Sequence, residues 1–243
     1  MLACVSAEWQ APPQVRAVTT TRAGGVSSGE YDSLNLAQHV GDKVADVQRN
    51  RVHMQRCLDL PATPAWLQQT HSTRVLTLPR ELSALNKPAD GSVAFQPGVV
   101  CAVLTADCLP LFLTNRSGTK IGVVHAGWRG MADGIIEQGV AAMQEDADQI
   151  LAWAGPCISG DFFEIGAEVK AALGGAEAAY RSAPQPGKFY ADLYQLCGER
   201  LATLGVSDYG YSEYCTYRHE SMFFSHRRDQ AGGRMASLIW LED

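Results

Sequence analysis

Two short blocks in this chain carry residues that could do chemistry: Thr105-Ala106-Asp107-Cys108-Leu109-Pro110 supplies a thiol, and His125-Ala126-Gly127-Trp128-Arg129-Gly130 supplies an imidazole. Between them Leu111–Thr114, Asn115-Arg116-Ser117-Gly118 and Thr119–Val124 read as strand, turn and strand. A turn centred between Arg116 and Ser117 sets Cys108 opposite His125. Directly opposed residues hold their Cβ atoms about 4.5–5.5 Å apart. One ion could then take the thiolate at about 2.3 Å and the imidazole at about 2.0 Å.

A catalytic zinc needs three protein ligands and an open position, and one Cys with two His is an established set. The chain has six histidines, at positions 39, 53, 71, 125, 219 and 226. His71 is the best third ligand, because it ends the strand-like run Trp66–Thr70 where a turn begins. His53 has Arg51 and Arg56 near it on a helix, which suggests a solvated face, and His219 and His226 fall in a polar, arginine-rich segment. The set His71, Cys108, His125 is not contiguous. Two other readings therefore stay open: a buried free cysteine beside a satisfied histidine, and a Cys108 nucleophile with His125 as its base. Asp107 would orient that base poorly, since in an extended strand it points away from the face of Cys108.

The elements that must hold these residues follow from the pattern. Val15–Thr21 alternates as a first strand and leads into the glycine-rich loop Arg22-Ala23-Gly24-Gly25-Val26-Ser27. Asp42 is placed to cap a helix from Lys43 to Leu58 with Val44, Val47, Val52 and Cys57 on its apolar face and Asn50 and Arg51 close by. Short strands are expected at 66–71 and 74–78, and a helix from Met131 to Gln144 weakened by Gly134 and Gly139. Further on come a strand at 149–154, helices at 166–173 and 190–204, and strands at 206–211 and 234–241. Strands joined by hairpins with helices laid outside point to an α+β fold. No linker, repeat or low-complexity tract divides the chain, so residues 1–243 read as one domain.

Composition narrows the partners. With a formal net charge of -6 and dispersed Lys and Arg residues, nucleic acid is not expected. The longest apolar stretch, Val99–Thr114, contains Asp107 and Pro110 and falls short of the roughly 18–20 residues of a membrane helix. The start lacks the regions of a secretory signal, and seven cysteines without any C-x-x-C argue for reduced thiols and a cytoplasmic protein. The glycine turn before Trp128 could present N–H groups to an anion, with Arg129 adding a bidentate contact. Arg51 either snorkels over the core or points into a pocket. Arg227-Arg228-Asp229 reads as an ion-pair cluster.

An ordered series of blocks resembles one family across nearly the whole chain: Thr20–Ser27, Tyr31-Asp32-Ser33-Leu34-Asn35-Leu36, Gly41-Asp42, Asn50-Arg51, Gln69-Thr70-His71, Thr105–Pro110, His125–Gly130, Gly155-Pro156, and Phe223–Asp229 before Gly233-Arg234-Met235. They are similar to those of the YfiH-like laccase-domain proteins, also called polyphenol oxidases. That family usually has Val and Gly where this chain has Thr70 and Ser72. The resemblance implies a compact α+β domain with two central β-layers flanked by helices, of the CNF-toxin/YfiH-like kind. It implies zinc held by two histidines and a cysteine, matching His71, Cys108 and His125 as metal and catalytic residues. It also implies phosphorolysis of adenosine, inosine, guanosine and methylthioadenosine, with adenosine deamination. Phosphorolysis requires an anion held against C1′, a role for which Arg51 and Arg129 are the sequence's candidates. An alternative within the family is an amidase that edits muramyl-L-serine products of peptidoglycan synthesis, and a structural zinc protein is a third reading. Six histidines and no H-x-H pair make multicopper laccase chemistry the weakest, although Cu²⁺ competes for most zinc sites.

Overall fold

The computed structural model describes residues 2–242. In chain order its elements are β1 (Cys4–Ser6), β2 (Val15–Thr20), α1 (Val44–Cys57), β3 (Val75–Leu78), β4 (Gly91–Ala94), β5 (Val100–Thr105), β6 (Leu109–Asn115) and β7 (Ile121–Ala126). There follow α2 (Trp128–Asp133), α3 (Ile135–Ala142), β8 (Ile150–Ala154), β9 (Glu164–Gly166), α4 (Ala167–Leu173), β10 (Tyr180–Ser182), β11 (Lys188–Ala191), α5 (Leu193–Thr203), β12 (Asp208–Tyr211), α6 (His226–Asp229) and β13 (Met235–Leu241). The α+β class and the two central β-layers are as expected. One layer is a four-stranded antiparallel sheet, β1-β2-β13-β5, and the other a six-stranded mixed sheet, β12-β8-β6-β7-β4-β3. A small third sheet, β10-β11-β9, is an addition, and it takes Tyr190 out of the helix expected at 190–204.

Alternation along the strands explains the layering. In β6, Leu109, Leu111 and Leu113 pack with Met131, Ile135, Ile136 and Leu201 on the helical side, while Phe112 packs with Val103, Trp153 and Ile239 between the sheets. In β7, Val124 and Ala126 face the helices, and Ile121 and Val123 face the other sheet. By the period of two, His125 belongs to the inter-sheet side. A third cluster, with Leu34, Leu36, Met54, Leu104 and Leu238, covers the outer face of the four-stranded sheet beneath α1.

Several local expectations change. The β6–β7 register pairs Pro110, not Cys108, with His125. The loop between Asn115 and Ile121 that causes this has Gly118 at φ +64, and Asn115 Oδ1 accepts from the N–H groups of both Thr119 and Lys120. In α1 the buried positions are Asp46, Val47, Asn50 and Met54, whereas Val44, Val52 and Cys57 are exposed. Asp42 does not cap that helix; its carboxylate accepts from Lys43 N–H, Ser27 Oγ and Asn35 Nδ2. Residues 66–71 form no strand, because the Gln69 side chain, rather than main chain, pairs with both main-chain groups of Leu104. The helix expected over 131–144 is two helices broken at Gly134, whose φ is +100.

Candidate metal centre

The site lies where the gap between the two β-layers ends. Cys108 immediately precedes β6, turned by Asp107 at φ +94, and His125 sits near the end of β7. His71 comes from the loop before β3, in the left-handed region at φ +60. What holds that loop is Asp90, a fully buried carboxylate just before β4. Its Oδ1 accepts from His71 N–H at 2.9 Å, and its Oδ2 accepts from Thr70 N–H at 3.1 Å, Ser72 N–H at 2.7 Å and Ser72 Oγ at 2.7 Å. The same Oδ1 lies 2.9 Å from His125 Nδ1. With Nδ1 engaged, Nε2 of His125 is the nitrogen left for the site, the arrangement in which a carboxylate orients a metal-ligating histidine.

One ligand atom from each of His71, Cys108 and His125 lies within 4.8 Å of the others, and Cys108 Sγ is 3.8 Å from His71 Nε2. Gly127 makes the approach possible. A Cβ there would stand 2.6 Å from His71 Cδ2 and 3.0 Å from Cys108 Sγ. The donor set fits zinc: three converging N and S ligands, a fixed second partner on one imidazole, and a fourth side facing a cavity.

Charge within the cluster suits ligation. Burial alone would raise the Cys108 thiol, but the facing imidazoles of His125 and His71 bring it down to about 6. Burial opposes protonation of His125, yet Cys108 and Asp90 raise it to about 9. Burial likewise works against the Asp90 carboxylate, and hydrogen bonds from His125, Ser72 and Thr70 hold it at about 2. Without an ion the pair is therefore thiolate and imidazolium at neutral pH. A metal held here would take the thiolate as it stands and displace one proton from His125.

The cavity above the three ligands measures about 210 Å³, and Gln69, His39, His226 and Arg234 complete its wall. Larger hollows beside Arg22 and Arg218, or along α1 at Arg49 and His53, are open depressions remote from the cluster. Arg51 does not reach the wall: its Nε donates to Leu36 O at 2.9 Å and its guanidinium lies 4.0 Å over the Trp66 ring. Its charge and that of Arg234 disfavour protonation of His39, after the larger effect of burial. Arg129 also lies off the wall, exposed and stacked 4.3 Å from the Trp128 ring, because α2 turns Gly130 and Met131 inward instead. Asp107 lies in the left-handed region rather than the extended strand expected, and its carboxylate is taken up by Thr216 Oγ1 and Arg227 N–H, from which it accepts. Arg228 pairs with Asp229 and caps the carbonyls of Thr216, Tyr217 and Phe223. Sequence reasoning missed Asp90 and Arg234 as site residues; the block Gly233-Arg234-Met235 was a signal for the second, and nothing local marked the first.

Known proteins of similar sequence bear on the site. The family described as multi-copper polyphenol oxidoreductase laccase matches residues 16–242. Purine nucleoside phosphorylase YfiH of Shigella flexneri is 46% identical over 236 residues, spanning 96% of this chain and 97% of that protein. Purine nucleoside phosphorylase PA4543 of Pseudomonas aeruginosa is 42% identical over 247 residues and the full length of both. Among solved structures, Neisseria meningitidis protein NMB0706 superposes with a TM-score of 0.91 at 43% identity over 99% of each chain. YlmD from Geobacillus stearothermophilus gives 0.89 at 30% identity over 95% of this chain and 93% of its own.

Proposed function

The chain belongs to the multi-copper polyphenol oxidoreductase laccase family, and we propose that within it this protein is a zinc-dependent purine nucleoside phosphorylase. The observation that carries this reading is the half-buried His71, Cys108, His125 cluster with Asp90 behind it, in a chain alike from end to end to proteins of that name. It is the one group of three metal-capable side chains found among the described residues. A multicopper oxidase needs several imidazole-rich centres, so the family's description fits this donor set less well than a single zinc does. Copper could load the same three ligands.

The substrates proposed are adenosine, inosine, guanosine and methylthioadenosine, each split to free base and the sugar 1-phosphate, with deamination of adenosine as a second activity. A divalent ion held by His71, Cys108 and His125 would supply Lewis-acid character and would lower the pKa of a water bound to it to about 7. The chain's own residues do the rest. Asp90 fixes the tautomer and direction of His125, and Gln69, locked to Leu104, lines the cavity. A 210 Å³ cavity is smaller than the about 300–1,000 Å³ of typical ligand pockets. It encloses the reacting centre, while the remainder of the nucleoside extends past the exposed His39 and His226. Free cysteines throughout suit the cytoplasm, where the reading places the protein. No helix among the described residues is long and apolar enough to cross a membrane.

The test is turnover of adenosine and inosine by metal-analysed protein, with and without phosphate and chelator. Phosphate-dependent release of base and ribose 1-phosphate, abolished by chelator and restored by zinc, is expected. Inosine formed without phosphate shows deamination. Release of L-serine from a muramyl precursor, with nucleosides untouched, would replace this function by the amidase, and tightly bound zinc with no turnover would leave a structural site.

A further inference from the structure

Phosphorolysis needs a cation in the cavity, and neither arginine singled out from the sequence stands on its wall. Arg234 does. It begins the approach to β13, where its main-chain N–H donates to Asn35 Oδ1 at 3.0 Å, and its Nη1 donates to the carbonyls of Gly232 and Gly233, both at 2.9 Å. These bonds fix one corner of the guanidinium. Nε and Nη2 have no partner among the described residues, and no carboxylate there lies within 4.0 Å of Arg234. The nearest negative groups, Cys108 and Asp107, favour its charge without bonding to it, and a half-buried guanidinium with an open edge on a cavity is completed when an anion occupies that edge. His39, on the same wall, is disfavoured from protonating by its partial burial and by Arg234 and Arg51, and its ring offers a second donor beside that edge.

We infer that Arg234 is the phosphate-binding residue, its fork aimed across the cavity above His71, Cys108 and His125. This rests on the phosphorylase reading given above. The planar fork suits two phosphate oxygens at once, which positions a third against C1′ of the nucleoside. That oxygen bonds to C1′ as the C1′–N9 bond breaks; the electron pair leaves with the purine, and the proton of hydrogen phosphate ends on the base. Nothing else is consumed. Arg51, tied to Leu36 O and Trp66, acts on His39 through its charge and does not line the cavity.

The experiment compares the metal-loaded wild type with Arg234→Gln and Arg234→Lys, measuring base release against inorganic phosphate concentration, direct binding of inorganic phosphate by calorimetry, and bound metal. For Arg234→Gln the KM for phosphate should rise at least roughly tenfold, the size of a lost charge-assisted bond, with the KM for nucleoside and the metal content unchanged. Arg234→Lys should recover part of it, since it keeps the charge and loses the fork, and it serves if the glutamine variant does not fold. An unchanged phosphate KM in a wild-type background that turns over nucleoside overturns the assignment and leaves the function standing. Phosphate binding lost in the variant, with no nucleoside turnover by either protein, keeps the subsite and rejects the function. A wild type that neither binds phosphate nor turns over rejects both.

Discussion

Asp90 accepts from Nδ1 of His125 at 2.9 Å with the same oxygen that receives the main-chain N–H of His71. One buried carboxylate thus fixes two of the three ligands, one by its ring and one by its backbone. Replacing it should cost more than a single hydrogen bond would. For Asp90→Asn, zinc affinity measured by competition with a chromophoric chelator should fall about 10- to 100-fold, the usual penalty for losing a carboxylate behind a ligating histidine. An affinity within twofold of wild type would show that the site does not depend on this carboxylate.

The same residue makes stability depend on acid. Its folded carboxyl titrates at about 2 against 3.8 ordinarily. A depressed acid contributes stability that is present above the unfolded value and lost as pH falls through the folded one, here between about pH 4 and pH 2. The contribution is roughly 2 kcal/mol. Urea unfolding of the metal-free protein should therefore weaken by about that much more in wild type than in Asp90→Asn across this interval. Parallel curves would contradict it.

Cys108 should be the reactive thiol of the metal-free protein. With its folded value at about 6, the thiolate is present above pH 6 and disappears below it. Burial pushes Cys101 and Cys197 up to about 12 and Cys4 up to about 11, so these stay silent. Alkylation followed by peptide mapping, which separates the exposed Cys57, should give a midpoint near pH 6 at Cys108 and protection by zinc. A midpoint near the about 8.5 of a free cysteine would remove the thiolate–imidazolium pair.

How far the sequence could reach is visible in these residues. The β6–β7 hairpin was legible from its apolar runs, and its register was misplaced by two residues. Because strand side chains repeat every two positions, that error left Cys108 and His125 on one face, and the ligand set did not change. A slip of one would have separated them. Asn115 and Gly118 decided the loop, through a side chain bonded to two N–H groups and a left-handed φ of +64. The apolar face of α1 was misjudged because the polar Asn50 is buried there; its amide ties Ser27, Ser33 and Asn35 together. Asp90 was invisible for a different reason. Its partners at 70–72 and 125 are remote in sequence, and a lone aspartate before a glycine looks like an ordinary turn.

Two glycines separate the site from the scaffold. Gly127 has φ -67, a value any residue adopts, so alanine there brings no backbone strain. Its Cβ would nevertheless stand 2.6 Å from His71 Cδ2 and 2.9 Å from His71 Nε2, driving the ring away from Cys108. Gly134 is the converse: at φ +100 a side chain is strained, while the nearest atom to an added Cβ is Glu137 Oε2 at 3.5 Å. Gly127→Ala should lose zinc and activity while the metal-free protein unfolds within about 1 kcal/mol of wild type. Gly134→Ala should keep stoichiometric zinc and lose about 1–2 kcal/mol of stability. Metal analysis and denaturant unfolding on both variants check the pair. Zinc retained in Gly127→Ala would mean that His71 does not need its close approach to this turn, and its place among the ligands would fall.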